Sequence, residues 1–154
     1  MLSIFDVAAS ILENTGYVST MKLQKLAFYS QAYSLVNDRC PLFEEGFQAW
    51  VNGPVCPKLF GIHRHRYVIG PEELRGYGDA SLLSNHEKAL VQHVCSVFSD
   101  YDGNELSVLT HKELPWRQAR EDCSETDPCS RFISNDSIYS YYSSEAASSN
   151  PLFR

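Results

Sequence analysis

The stretch TMKLQKLAFYSQAYSLV at residues 20–36 decides the class of the fold. Its apolar side chains recur at the spacing of one face of an α-helix. Ser19 or Thr20 can cap the first turn, and Asn37-Asp38 followed by Pro41 ends the pattern. The inner face of this helix is predicted to carry Leu23, Leu26, Ala27, Ser30 and Tyr33.

Further helices are predicted on both sides of this segment. Residues 3–15 place apolar side chains at i, i+4, i+7 and i+8, and they begin with a capping box of Ser3 and Asp6. The clearest pattern runs from about Asn85 to Tyr101 and also starts with a capping box. Shorter helices are predicted for residues 104–111, for residues 116–121 and after Ser134 or Asn135.

One short segment departs from the helical period. Residues 46–51 alternate and end at Asn52-Gly53-Pro54, which indicates a strand that enters a turn. Pro57 suits the first turn of a following helix. Ser81-Leu82-Leu83 is a second candidate strand, which could pair with the first.

The sequence therefore predicts a mainly α fold: a single compact helical domain with a small inserted β element near residues 46–51. We assign this domain to residues 1–142. Residues 143–154 are rich in Ser and Ala and are expected to form a flexible C-terminal tail. The chain has 154 residues, which is the length of one domain and enough to bury a core without a metal ion or disulfides.

The charge and composition exclude several classes of protein. There are 13 Lys and Arg against 19 Asp and Glu, a net charge of −6, so general nucleic-acid binding is not expected and a partner with a basic surface fits better. No uncharged apolar run approaches the roughly 18 residues of a membrane span. The N-terminus lacks the basic region of a signal peptide. Five cysteines, an odd number, do not suggest a disulfide framework, so we expect a cytoplasmic protein with reduced thiols.

Two segments carry side chains that an enzyme could use. Thr110 to Trp116 gathers a hydroxyl, the imidazole of His111 and an indole, which suits either a general base beside an aromatic or a helix cap with a packed Trp. Cys56 precedes a helix start, where a thiol is either activated or buried and inert. A small hydrolase dependent on Cys56 or His111 stays open as an alternative. We predict no catalytic residue, because no second titratable group stands at a fixed spacing.

The spacing of the His and Cys residues argues against a metal site. The run His63-Arg64-His65-Arg66 surrounds its imidazoles with cations, which oppose a divalent ion. His86 and His93 are two helical turns apart, and Cys123 and Cys129 are farther apart than the paired cysteines of a zinc site. We therefore predict neither a metal ion nor a cofactor.

Lys22, Lys25 and Tyr29 share one helical face because they are three and four residues apart. These side chains form a solvated basic edge or pair with a nearby carboxylate, or else they make a patch that binds an acidic or aromatic partner surface. Trp50 lies on the predicted strand. One face of its ring is expected to pack on the core, which leaves the other face as a candidate anchor for a partner.

Three segments in this order carry a family resemblance: Lys22-Leu-Gln-Lys-Leu26 with Tyr29 and Gln31, then Ala49-Trp-Val-Asn-Gly-Pro-Val55, then Leu106 through Thr110 with Pro115-Trp116. Together they resemble the Panacea domain of the SocA/GepA-like group of bacterial and phage proteins. The resemblance extends over residues 3–142. Each segment alone is unspecific, whereas the combination is fairly specific.

The resemblance implies an antitoxin of a type II-like toxin–antitoxin pair, carried by a bacterium or a prophage. Members of the group generally neutralise a cognate protein toxin, encoded nearby, by direct protein–protein contact and without catalysis. A second mode in the group is that of a proteolytic adaptor, which delivers the toxin to a cellular protease. Homodimerisation stays open, as does DNA-binding autoregulation, for which the run at 63–66 is the candidate.

The contact surface is expected to combine cationic and aromatic anchors, because a few such side chains carry most of the energy of a protein interface. We hypothesise that some of them close an active site or block a substrate path on the toxin. The candidates are Lys22, Lys25, Tyr29, Trp50, His111, Trp116 and Arg117.

Overall fold

Helices make up most of the structure, a computed structural model that describes residues 1–124 and 126–154. Within these residues the α-helices are α1 (Ile4–Thr15), α2 (Thr20–Asn37), α3 (Pro57–His63), α4 (Asn85–Val97), α5 (Gly103–His111), α6 (Leu114–Ala119) and α7 (Asn135–Tyr142). The strands are β1 (Val18–Ser19), β2 (Phe47–Trp50), β3 (Gly53–Val55), β4 (Val68–Ile69) and β5 (Phe132–Ile133). The predicted mainly α fold with a small β element is confirmed. None of the described helices is long and apolar enough to cross a membrane.

Helix α2 runs through the centre of the fold and is buried on nearly every side. It packs against α1, α4, α5 and α7, and every residue from Leu23 to Ala32 is buried. The sequence predicts one inner face, yet Tyr33, which was placed on that face, is only half buried. The hydrophobic period of a helix does not show how many other helices pack against it. Because four helices surround α2, polar side chains outside the predicted inner face are buried as well.

The helix boundaries follow the capping side chains. The capping boxes predicted at the starts of α1 and α4 are present, and the Ser19 hydroxyl caps α2. Helix α5 is capped by Asp102 rather than by Asn104. Asp102 Oδ1 accepts from the Glu105 N–H at 2.8 Å, and Glu105 Oε1 accepts from the Asp102 N–H at 3.0 Å. Helix α4 ends at Val97, short of its predicted end.

The β element centres on an antiparallel hairpin. Strands β2 and β3 pair Trp50 with Gly53, so that Val51 and Asn52 alone form the tip. Strand β5 lies on the other edge of β2, which gives the sheet order β3-β2-β5. The strand predicted near residues 46–51 is confirmed as β2.

None of the three strand pairings was predicted, because the sequence predicts a turn into a helix where β3 lies, and the one predicted pairing is wrong. Strand β1 pairs with β4, and β5 pairs with β2. Since β1, β4 and β5 contain two residues each, they are too short to show an alternating pattern. The segment Ser81-Leu82-Leu83 does not pair with a strand. It overlaps a 3-10 helix at Ala80–Leu82, where Asp79 Oδ1 accepts from the Ser81 N–H at 2.9 Å.

The C-terminal segment packs onto the domain, contrary to the expected flexible tail. Residues 145–149 form a 3-10 helix, Asn150 is completely buried and Leu152 is 5 % exposed. The ring of Phe153 stacks on Tyr142 of α7 with 4.7 Å between the ring centroids. The prediction of a flexible tail rested on the average Ser-rich composition of the segment. A few buried side chains are nevertheless enough to hold the segment on the domain.

Candidate functional site

The hairpin β2–β3 is held by side chains that donate to its main-chain carbonyl groups. From α2, Gln24 Nε2 donates to Cys56 O at 3.3 Å and Lys25 Nζ donates to Pro54 O at 3.2 Å. Gln24 Oε1 also accepts from the Cys56 N–H at 2.9 Å. The first of the three sequence segments therefore binds the end of the second.

Helices α5 and α6, and the residue that caps α6, bind the first strand and the tip of the hairpin. Three side chains donate to carbonyl oxygens there: Ser107 to Asn52, Trp116 to Trp50 at 2.7 Å, and Arg120 to Ala49 at 2.7 Å. The third sequence segment thus also meets the second. Five carbonyl groups between residues 49 and 56 are bound by side chains, so tertiary contacts fix the geometry of the hairpin.

Gly53 makes room for the end of Lys25. Its φ is +114°, a conformation that side-chain-bearing residues rarely adopt. A Cβ at this position would lie 2.5 Å from Lys25 Cε and 2.9 Å from Thr110 Oγ1. The absence of a side chain at Gly53 is therefore what lets the lysine reach Pro54 O.

A pocket of about 570 Å³ opens between α2, α3 and the hairpin, and we call it the α2–hairpin pocket. Its walls include the apolar side chains of Met21, Val55 and Phe60. The rings of Trp50 and Phe60 meet edge to face with 4.9 Å between their centroids. Polar side chains also line the pocket: Gln24, Lys25, Gln48 and His63. This volume lies in the usual range of small-molecule sites.

Lys25 is the charged group of the pocket, although only 1 % of its surface is exposed. Desolvation by burial lowers the pKa of Lys25 from 10.5 to about 7. Among the described residues its only hydrogen-bond acceptor is Pro54 O, and none of their carboxylates lies within ion-pair distance. The amine therefore changes charge near neutral pH without a counter-ion from this part of the chain.

His63 is fixed as a neutral ring by Gln24. Gln24 Nε2 and His63 Nε2 are 2.9 Å apart, and since the amide nitrogen can only donate, we assign the ring proton to His63 Nδ1. Desolvation lowers the pKa of His63, which also favours the neutral form. Gln24 thus orients both the hairpin and the imidazole of the pocket.

The two residues considered for nucleophilic or base chemistry occupy structural positions. Burial raises the pKa of the Cys56 thiol, which contradicts an activated thiolate at this helix start. His111 stacks on Trp116 with 3.9 Å between the ring centroids, and burial lowers the pKa of His111. Its Nε2 is buried and has no hydrogen-bond partner within residues 1–124 and 126–154.

Glu113 forms a second buried polar cluster, on the side of α2 that faces α7. Tyr29 and Tyr142 donate their hydroxyls to Glu113 Oε1 at 2.6 and 2.7 Å. Asn150 Nδ2 donates to Glu113 Oε2 at 2.8 Å. Desolvation raises the pKa of Glu113 and outweighs these three bonds, which favour the anion. Tyr29 is therefore a core residue with a satisfied hydroxyl.

The structure separates the seven predicted contact residues by exposure. Lys25 and Tyr29 are buried to 1 % and 0 % exposure, which corrects their assignment as surface contacts, because α2 is central. Trp116 is also buried and donates to the hairpin. The side chains that reach the surface are Lys22, Trp50 and His111, which are half buried, and Arg117, which is exposed.

Several residues that shape this site were not singled out from the sequence. Gln24 and Arg120 hold the hairpin, and His63 lines the pocket, where the sequence had shown it only as part of a cationic run. Glu113 lies within the motif at residues 110–116, but nothing in the sequence pattern marks it as a functional residue. A single buried carboxylate is recognisable only by its hydrogen-bond partners. Those of Glu113 are Tyr29, Tyr142 and Asn150, which are 84, 29 and 37 residues away along the chain.

An exposed apolar patch borders the same pocket. Tyr67 is 89 % exposed, and Tyr17 and Val68 are also exposed; we call these three residues the β1–β4 patch. Thr20, which lines the pocket, donates its main-chain N–H to Tyr67 O at 2.9 Å. The hairpin tip and the β1–β4 patch thus lie beside one opening.

No cluster of three or more His, Cys, Asp or Glu side chains in the described part of the chain is placed to hold a metal ion. The elements of the candidate site are a fixed hairpin, a pocket with one buried amine and an exposed apolar patch.

A comparison with protein families finds one match that covers most of this region. The family model described as "Antitoxin SocA-like, Panacea domain" matches residues 23–117. This range contains Gln24, Lys25, Ser107 and Trp116, four of the five residues that bind the hairpin carbonyls. No curated protein and no solved structure matches the chain.

Proposed function

Because the chain belongs to the family of SocA-like antitoxins with a Panacea domain, we propose that it neutralises a cognate toxin by direct protein–protein contact. The toxin is a protein encoded beside it. The observation that carries this proposal is the hairpin, which five side-chain hydrogen bonds to carbonyl groups of residues 49–56 hold in place beside an exposed apolar patch.

Exposed apolar side chains support a docking role for this face. Tyr67 and Val68 leave much of their surface in water, at 89 % and 55 % exposure, and burying such side chains is a main source of affinity in protein interfaces. The half-buried Trp50 adds an aromatic ring at the edge of the pocket. We propose that the toxin covers the β1–β4 patch, Trp50 and the hairpin tip.

The fixed hairpin supports affinity in a second way. Ordering a loop on binding costs free energy, which a partner must recover from its contacts. The carbonyls of Trp50 and Asn52 are already bound by Trp116 and Ser107 in the free chain. A toxin that docks on the tip therefore meets a surface that needs little rearrangement.

The proposed mechanism contains no catalytic step. Cys56 is a buried thiol with a raised pKa, His63 is bound by Gln24 and His111 is stacked on Trp116. Each of these groups has a structural role, which supports inhibition by binding alone.

The test is co-expression of the chain with the neighbouring toxin, with growth rescue and co-purification as readouts. We expect the double variant Tyr67→Ser/Val68→Ser to lose rescue and complex formation while its circular dichroism stays unchanged. Leu82→Ser is the matched control, because Leu82 is 61 % exposed and lies in a 3-10 helix that packs on α1.

Two results would contradict the proposal. One is full rescue by the folded double variant, which would remove the β1–β4 patch from the interface. The other is rescue that disappears in a host without its ATP-dependent proteases. That outcome would identify a proteolytic adaptor in place of a direct inhibitor.

A further inference from the structure

Apolar side chains form part of the wall of the α2–hairpin pocket. Met21, Val55 and Phe60 line it together with the ring of Trp50, and Trp50 and Phe60 pack edge to face at 4.9 Å. Trp50 Nε1 donates to Gln48 Oε1 at 2.8 Å, which fixes the orientation of the indole. The volume of about 570 Å³ lies within the range of small-molecule sites.

The polar end of the pocket is a cation without a counter-ion. Lys25 Nζ donates one hydrogen bond, to Pro54 O at 3.2 Å, and an ammonium group has three N–H donors. Within the described ranges 1–124 and 126–154, the other two donors have no acceptor and no carboxylate is paired with this amine. A buried amine in this state is costly unless something binds it.

The groups that face Lys25 carry no negative charge. They are His63 from α3 and His111 from α5, and the charge of Lys25 contributes to lowering the pKa of both imidazoles. At the outer edge Arg64 Cζ lies 5.6 Å from the centroid of the Phe60 ring. Cys129 is a further titratable side chain on the pocket wall. An anion that enters the pocket therefore meets the Lys25 cation, and none of the described residues that line the pocket carries a carboxylate.

We propose that the α2–hairpin pocket binds a small organic carboxylate with an aromatic or branched apolar body, and that the Lys25 ammonium group pairs with the carboxylate. The apolar body packs against Met21, Trp50 and Phe60. The carboxylate accepts the free N–H donors of Lys25. The pocket shares Trp50 and the hairpin tip with the proposed toxin surface, but carboxylate binding is measured on the chain alone and does not require the toxin.

The probes are 1-naphthylacetate and its uncharged isostere 1-naphthylacetamide, titrated into the full chain by calorimetry. At pH 6 we expect the carboxylate to bind at least tenfold more tightly than the amide. Lys25 must be protonated to pair with the carboxylate, and its pKa is about 7 in the free chain. Affinity for the carboxylate should therefore fall at least tenfold between pH 6 and pH 9, whereas affinity for the amide should not change.

Variants of α2 assign the effect to one amine. Lys25→Met should bind the acid and the amide alike. Lys22→Met removes a lysine from the preceding turn of the same helix and should keep the preference. Should Lys25→Met not fold, the wild-type chain still gives a test. At pH 8, carboxylate binding measured in two buffers of different ionisation enthalpy should take up close to one proton.

Three outcomes would overturn the proposal: equal affinity for acid and amide at pH 6, no proton uptake at pH 8, or no binding of either probe at millimolar concentration. The patch variants report on toxin neutralisation through growth rescue. Failure of the carboxylate proposal is therefore distinguishable from failure of the proposed function.

Discussion

Lys25 carries a free-energy cost that depends on pH. Its pKa falls from 10.5 in the unfolded chain to about 7 in the fold, so the unfolded state holds the proton more tightly. The shift corresponds to a penalty of roughly 4 to 5 kcal/mol at every pH below about 7. As the pH rises from 7 to 10.5 the unfolded chain loses its proton too, and the penalty disappears.

Lys25→Met tests this cost. The substitution removes the buried charge, but it also leaves Pro54 O without its donor. The lost hydrogen bond cancels about 1 to 3 kcal/mol of the gain in stability. We expect the variant to be more stable than the wild type by about 2 kcal/mol at pH 6.5 and to show little or no gain at pH 9.5. Urea denaturation at the two pH values measures the difference. A gain that is the same at both would contradict the lowered pKa, and Lys22→Met is the control.

For single residues, the sequence predicts which side chains lie on the same face of a helix, but not what packs against that face. The spacing of Lys25 and Tyr29 correctly places them on one side of α2, but the prediction that both side chains contact a partner requires a surface that the central α2 does not have. The structure supplies buried partners instead, Pro54 for Lys25 and Glu113 for Tyr29. These partners are 29 and 84 residues away along the chain, beyond the reach of any local pattern.

Among the elements, the hairpin depends most on a single position. Gly53→Ala forces a side chain into a positive φ and places its Cβ 2.5 Å from Lys25 Cε. We expect a loss of about 2 to 4 kcal/mol in the free energy of unfolding. Gly61→Ala in α3 is the matched control. The new Cβ would have no neighbour within 4 Å, and alanine should stabilise this helix by about 0.5 to 1 kcal/mol. Equal effects of the two substitutions in urea denaturation would contradict the role of Gly53.

The elements themselves were largely predictable, because caps and periods are local. Helix starts at Ser3, Ser84 and Ser134 and the strand β2 follow from short-range chemistry. The two-residue strands did not follow, since their pairing depends on where distant segments meet. The candidate site was predictable only in part. The three segments were recognised, but their convergence on five carbonyl groups is a tertiary property.

For the whole molecule, the C-terminal segment closes the core over α7. Truncation after Ser144 removes Asn150, Leu152 and Phe153, of which Asn150 binds Glu113 and Phe153 covers Tyr142. Burial of the two apolar side chains and the bond to a carboxylate together predict a loss of about 4 to 6 kcal/mol. Urea denaturation of the truncated chain measures it. Deletion of the exposed Arg154 alone is the control, and a truncated chain as stable as the wild type would mean that the segment only rests on the surface.

The overall architecture was predicted from composition and helical periodicity, and the errors share one cause. The sequence shows which segments are helical, but not that α2 is surrounded by four other helices. For the same reason the last residues were expected to be flexible, although they pack on a core assembled from much earlier parts of the chain. The composition of a segment gives its average polarity, whereas its packing depends on a few buried side chains.

The side chains that hold the hairpin lie on both sides of it in the chain, with Gln24 and Lys25 before it and Ser107, Trp116 and Arg120 after it. A ribosome synthesises the hairpin before Ser107, Trp116 and Arg120, so the emerging hairpin at first lacks three of its five donors. It can reach its final geometry only after residue 120 has emerged. A partner that docks on the hairpin would therefore meet the finished surface only after that point of synthesis.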